Sequence, residues 1–119
     1  MHTPRETATL LAVILTRSKQ SRARVSKITI KILAKRPLLH SAFILKLSDE
    51  LADLSWIFFE LASGAFAAVQ AKALEAAKPV TVRRFLTDEE RRALNRGDID
   101  WDALRREAEP HEEEPGDAD

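Results

Sequence analysis

The hydrophobic period changes near Ser55, and that change limits the folds open to the chain. Before it, Phe43, Leu47, Leu51 and Leu54 recur at steps of four, four and three, the stripe of a helix packed on one side. After it, Trp56-Ile57-Phe58-Phe59-Glu60-Leu61 is aromatic and β-branched and reads as a strand. Ala62-Ser63-Gly64-Ala65 then forms a small turn, and Phe66 to Gln70 is a plausible return strand, giving a β-hairpin. A helical half followed by a hairpin predicts an α+β domain.

Two more helices precede the stripe. Thr3, Pro4 and Glu6 supply a capping hydroxyl, a first-turn proline and an acid at the capping-box position. Leu10, Leu11, Ile14 and Leu15 are expected to share one face of a first helix ending near Thr16. Ser18 to Ala23 reads as a polar connection. Ser26 is a good N-cap for a second helix. Its Ile28-Ile32-Leu33 spacing fits a helix, although Ile28-Ile30-Ile32 also fits a strand. Pro37 disfavours helix at Arg36 and can itself open the third helix, which runs on through Ser41.

Beyond the hairpin, Ala71 to Lys78 is helical by propensity and could begin as early as Phe66. Val80 to Arg84 suggests a further short strand. Thr87 and Glu90 form a capping box for a helix to about Asn95, stopped by Gly97, with another helical turn or two from Asp100. From Glu107 acids and prolines dominate, so a disordered acidic tail is expected. The division expected is 1–86 for the main domain, 87–106 for a C-terminal helical extension and 107–119 for the tail.

Three helices with a proline-marked junction, followed by a hairpin, resemble the winged helix-turn-helix superfamily in element order over about residues 3–70. The resemblance implies a small winged-helix-like domain with the third helix as recognition helix and residues 62–66 as the wing tip.

Charge distribution points the same way independently. The formal net charge is zero, yet residues 1–46 hold ten Lys or Arg and one acid, while residues 85–119 hold five bases and thirteen acids. Clustered cations suit phosphate contact, because neutralising nucleic acid releases condensed counterions. Lys27, Lys31 and Lys35 lie four apart on the second helix. With Arg17, Lys19, Arg22, Arg24, Arg36 and Lys46 they form the candidate phosphate-binding set, and His40 and Ser41 the candidate base readers. The bland alternative is a solvated face, but such faces normally mix both signs. Asp49, Glu50 and Asp53 make the second half of the third helix acidic, and the wing tip has no base.

Trp56, Phe58 and Phe59 read as core rather than a base-stacking platform, with one of Phe58 or Phe59 turned outward as a dimer or partner contact. The absence of cysteine excludes disulfides and thiolate chemistry. His2, His40 and His111 lack metal-ligand spacing, and no catalytic motif appears. The expectation is therefore a cytoplasmic, non-enzymatic regulator without cofactor or metal. It would bind nucleic acid, most readily duplex DNA, as a homodimer, with no membrane association. Two alternatives stand beside it. One is a protein-interaction module, antitoxin-like or a phage-encoded inhibitor, that binds an acidic partner surface or docks through its hairpin or C-terminal extension. The other is a small RNA-binding protein.

Overall fold

The computed structural model describes residues 1–110. It contains α1 (Pro4–Ser18), β1 (Arg22–Val25), α2 (Lys27–Ala34), α3 (Ser41–Asp53), β2 (Trp56–Glu60), β3 (Phe66–Gln70), α4 (Ala71–Glu75), α5 (Val82–Phe85), α6 (Asp88–Arg96) and α7 (Trp101–Ala108). The fold is thus α+β. The chain divides into two compact units, the first spanning Met1–Ala77 and the second beginning at Lys78. No described helix is long and apolar enough to cross a membrane.

In the first unit, α1 starts where the capping box requires. The Thr3 hydroxyl accepts from the Glu6 backbone N–H, and a Glu6 carboxylate oxygen accepts from the Thr3 N–H, both at 3.0 Å. The helix buries Thr7, Ala8, Leu11 and Leu15. Leu10 and Ile14, expected beside Leu11 and Leu15, instead face outward. Thr7 tolerates burial because its hydroxyl donates to the Thr3 carbonyl at 2.9 Å.

The expected connection after α1 contains a strand. β1 pairs antiparallel with β3, placing Arg22, Ala23, Arg24 and Val25 opposite Val69, Ala68, Ala67 and Phe66. β2 pairs with the other side of β3, so the sheet order is β1-β3-β2. Strand alternation sends Ala23 and Val25 toward the core and Arg22 and Arg24 to the opposite face.

Ser26 caps α2 as expected, accepting from the Thr29 N–H at 3.1 Å. The buried side is Ile30 and Ala34, whereas Ile28 and Ile32 point to solvent. The helix stops at Lys35, which adopts a left-handed φ of 53°. Arg36 is thus outside the helix, as expected from Pro37. Residues 37–40 are not helical, and α3 begins at Ser41 rather than Pro37. Phe43, Leu47 and Leu51 are buried as the stripe predicts, but Leu54 falls past the helix end and is exposed.

The hairpin forms from the residues predicted, with Phe66 to Gln70 a strand and not the start of the following helix. Trp56 and Phe58 face the core, and Phe59 faces outward. The Phe58 and Phe66 rings stack with centroids 5.0 Å apart. The core gathers α1, α2 and α3 over one face of the sheet around Leu11, Ile30, Leu47, Leu51, Phe58 and Phe66.

In the second unit, the segment expected as a strand is instead a short helix, α5, capped by Thr81. The Thr87–Glu90 capping box opens α6, and Gly97 ends it in the left-handed region. The last helix extends to Ala108, so Glu107 and Ala108 are helical rather than tail. The rest of the expected acidic tail, residues 111–119, lies outside the described residues. No side chain of α5, α6 or α7 is buried.

Candidate nucleic-acid interface

The eleven residues singled out for nucleic-acid contact do not form one continuous face. Arg17 lies in the last turn of α1, and Lys19 caps its end with a left-handed φ of 59°. Arg22 and Arg24 stand on the sheet face away from the core. Lys27 and Lys31 lie on α2, Lys31 half-buried. Lys35 sits past the helix end, which breaks the regular stripe of three lysines.

The structure concentrates cations at the β1–α2 junction. Arg24, Ser26 and Thr29 border a groove of about 500 Å³ that also includes Ser18 and Gln20. Three residues after Arg24, Lys27 borders a second groove of about 380 Å³, running between α2, the start of α3 and the hairpin. Ser41 lines this second groove with Leu45, Ser48 and Glu60. His40 is the exposed N-cap of α3, and its side chain makes no capping bond. Lys27, His40 and Ser41 therefore lie together at the first turn of α3.

Two candidates fall away from this cluster. Arg36 is occupied internally. Its guanidinium lies 4.1 Å from the Phe43 ring centroid, and its Nε and Nη2 donate to the His2 carbonyl at 3.3 and 2.9 Å. Lys46 sits with Arg5, Asp49 and Glu50 around a different, shallow groove.

Arg17, Lys19, Arg24, Lys27, Lys31 and Lys35 make no ion pair to a carboxylate among the described residues. Ion pairs do form on α6, on α7 and in the turn between them, such as Arg91–Asp88 and Arg96–Asp98. Glu6 is held below the usual glutamate range, chiefly by the backbone N–H of Thr3.

The outer sheet face is the feature that sequence reasoning missed. Register places Arg24, Ala67 and Phe59 in one row across the three strands, and Arg22, Val69 and Ile57 in the next. Phe59 is 47% exposed. The signal was the alternation of Arg22 and Arg24 with Ala23 and Val25, four residues long. Among the described residues no group of His, Asp or Glu is arranged to hold a metal ion. Comparison with protein-family models, curated proteins and solved structures finds no match to this chain.

Proposed function

We propose that residues 1–77 form a winged-helix domain that binds duplex DNA along the edge made by β1, α2 and the first turn of α3. In this reading Arg24, Lys27, Lys31 and Lys35 contact phosphates, Lys19 extends the basic edge, and His40 and Ser41 approach base edges. The observation that carries the proposal is the stretch from Thr7 to Ser48, with nine Lys or Arg and no acid. It runs from Thr7 in α1 through β1 and α2 to Ser48 in α3. The element order α1-β1-α2-α3-β2-β3, with β1 added to the outer side of β3, supports the winged-helix assignment.

The test is a fluorescence-anisotropy titration of the full chain with labelled duplex DNA over a salt series. Four phosphate contacts give a log–log salt slope of about −3.6. Lys27→Ala and Lys31→Ala each reduce its magnitude by about 0.9. Absence of salt-dependent duplex binding overturns the proposal.

A second reading, a protein-interaction module, is favoured by one observation. Ile28 and Ile32 on α2 are each 68% exposed, and Leu45 on α3 is 65% exposed. Apolar side chains so far out of a core are common at protein contacts and contribute little to phosphate binding.

A further inference from the structure

We infer that α1 is the seam of a two-fold homodimer, in which two copies pack this helix antiparallel through Glu6, Leu10, Val13 and Arg17. The inference concerns assembly and does not depend on the DNA-binding reading.

α1 has two apolar sides. One carries Thr7, Ala8, Leu11 and Leu15 into the core. On the other, Glu6, Leu10, Val13 and Arg17 recur at steps of four, three and four. At about 100° per residue these four fall within roughly 60° of arc, the narrow stripe of a helix–helix seam. Leu10 and Val13 are 40% and 39% exposed, and Ile14 at the stripe's edge is 44% exposed. Glu6 and Arg17 are exposed as well.

The order of residues along this stripe selects the occupant. It reads acid, apolar, apolar, base, so reversing it exchanges the charges and leaves the centre apolar. Antiparallel pairing about a point between Leu11 and Ala12 sets Leu10 against Val13 of the partner subunit. The same pairing sets Glu6 against Arg17 of the partner subunit, and symmetry repeats each contact. An isologous interface needs such self-complementarity, whereas an unrelated partner does not. The pairing point nearly coincides with Leu11, the midpoint of the 15-residue helix. The helices then overlap along almost their full length, about 22 Å. The capping bond uses one Glu6 carboxylate oxygen and leaves the other for the guanidinium. Exposed ion pairs add little affinity but fix register and direction.

Analytical ultracentrifugation of the full chain over a concentration series, with Leu10→Glu and Val13→Lys variants, tests the seam. The wild type dimerises. Each single variant weakens the dimer at least tenfold, because each sets a charge against an apolar side chain. Leu10→Glu and Val13→Lys together in one chain restore it, since the new carboxylate then faces the new ammonium. Circular dichroism confirms that helix content is retained. A wild type that stays monomeric, a dimer indifferent to both substitutions, or failure of the pair to restore it overturns the inference. Because the chain has no cysteine, a second readout covers variants that fold poorly. Leu10→Cys and Val13→Cys chains, mixed and oxidised, form the mixed disulfide in preference to either homodisulfide. Equal yields of the three overturn the antiparallel register.

Discussion

Arg36 offers a sharp test of which cations hold the fold and which face a ligand. Its guanidinium joins three segments: it stacks on Phe43 of α3, donates twice to the His2 carbonyl, and follows directly on the end of α2. His2 in turn donates its backbone N–H to the Ala34 carbonyl at 2.8 Å, and its Nδ1 lies 2.7 Å from the Leu33 carbonyl. Arg36→Ala removes a cation–π contact worth about 0.5–1 kcal/mol at a half-buried site. It also removes charge-assisted hydrogen bonds worth about 1 kcal/mol after discounting for solvent. The combined loss of about 2 kcal/mol lowers the melting temperature of a unit this size by about 10 °C. Arg36→Lys keeps the charge but not the planar fork, and recovers less than half of the loss. Trp56 is buried in the first unit, so its fluorescence in a Trp101→Phe background follows that unit alone. Below the transition, duplex affinity and its salt slope stay at wild-type values. A melting temperature within 2 °C of wild type, or a salt slope reduced by about 0.9, refutes this account of Arg36.

Phe66 is 1% exposed and stacks on Phe58. Phe66→Ala therefore costs about 3–5 kcal/mol, read as loss of the cooperative urea transition or a large fall in its midpoint. Gly64 has a φ of 96° with nothing near its would-be Cβ, so Gly64→Ala costs only backbone energy, about 1 kcal/mol in the same assay. Glu6 has a lowered carboxyl pKa, so the stability it adds is fully present above the ordinary glutamate value of about 4.3 and is lost as pH falls through the lower folded value. The difference in urea midpoint between wild type and Glu6→Gln is accordingly largest near neutrality and closes in acid.

Local signals in the sequence located most elements, and non-local ones were illegible. Thr3 with Glu6, Ser26, and Thr87 with Glu90 each specify a helix start through bonds spanning three residues, and each holds. The hairpin is equally local. β1 is different: its four residues acquire strand character only by pairing with Phe66–Val69, more than forty positions later. Without β1, Arg22 and Arg24 could not be placed on a sheet face. The direction of each helix was a separate difficulty. Leu10, Leu11, Val13, Ile14 and Leu15 surround α1 with apolar groups, and α2 has isoleucines on opposite sides. Non-local packing decides which set is buried: α1 against α3 and α2, and α2 against α1. Arg36 looked like its basic neighbours because nothing in its sequence surroundings marks Phe43 and His2 as contacts.

The acids on α3 decide how the domain approaches a polyanion. Leu45 and Asp49 lie on its outward side, with Asp53 one turn further on, and Lys46 is flanked by Asp49 and Glu50 at helical spacings of three and four. Inserting this helix along its length into a groove would bring Asp49 beside phosphates. At contact distance in water, one such pair costs about 1 kcal/mol, roughly a fivefold loss of affinity. Approach along the β1–α2 edge keeps that carboxylate clear and still presents the first turn of α3. Asp49→Asn separates the two geometries without disturbing the core, because its side chain is exposed. Edge-on binding leaves duplex affinity at low salt unchanged, while Lys31→Ala reduces it. A several-fold gain from Asp49→Asn would mean that α3 itself enters the groove and that the lysines of α2 are not the principal contact.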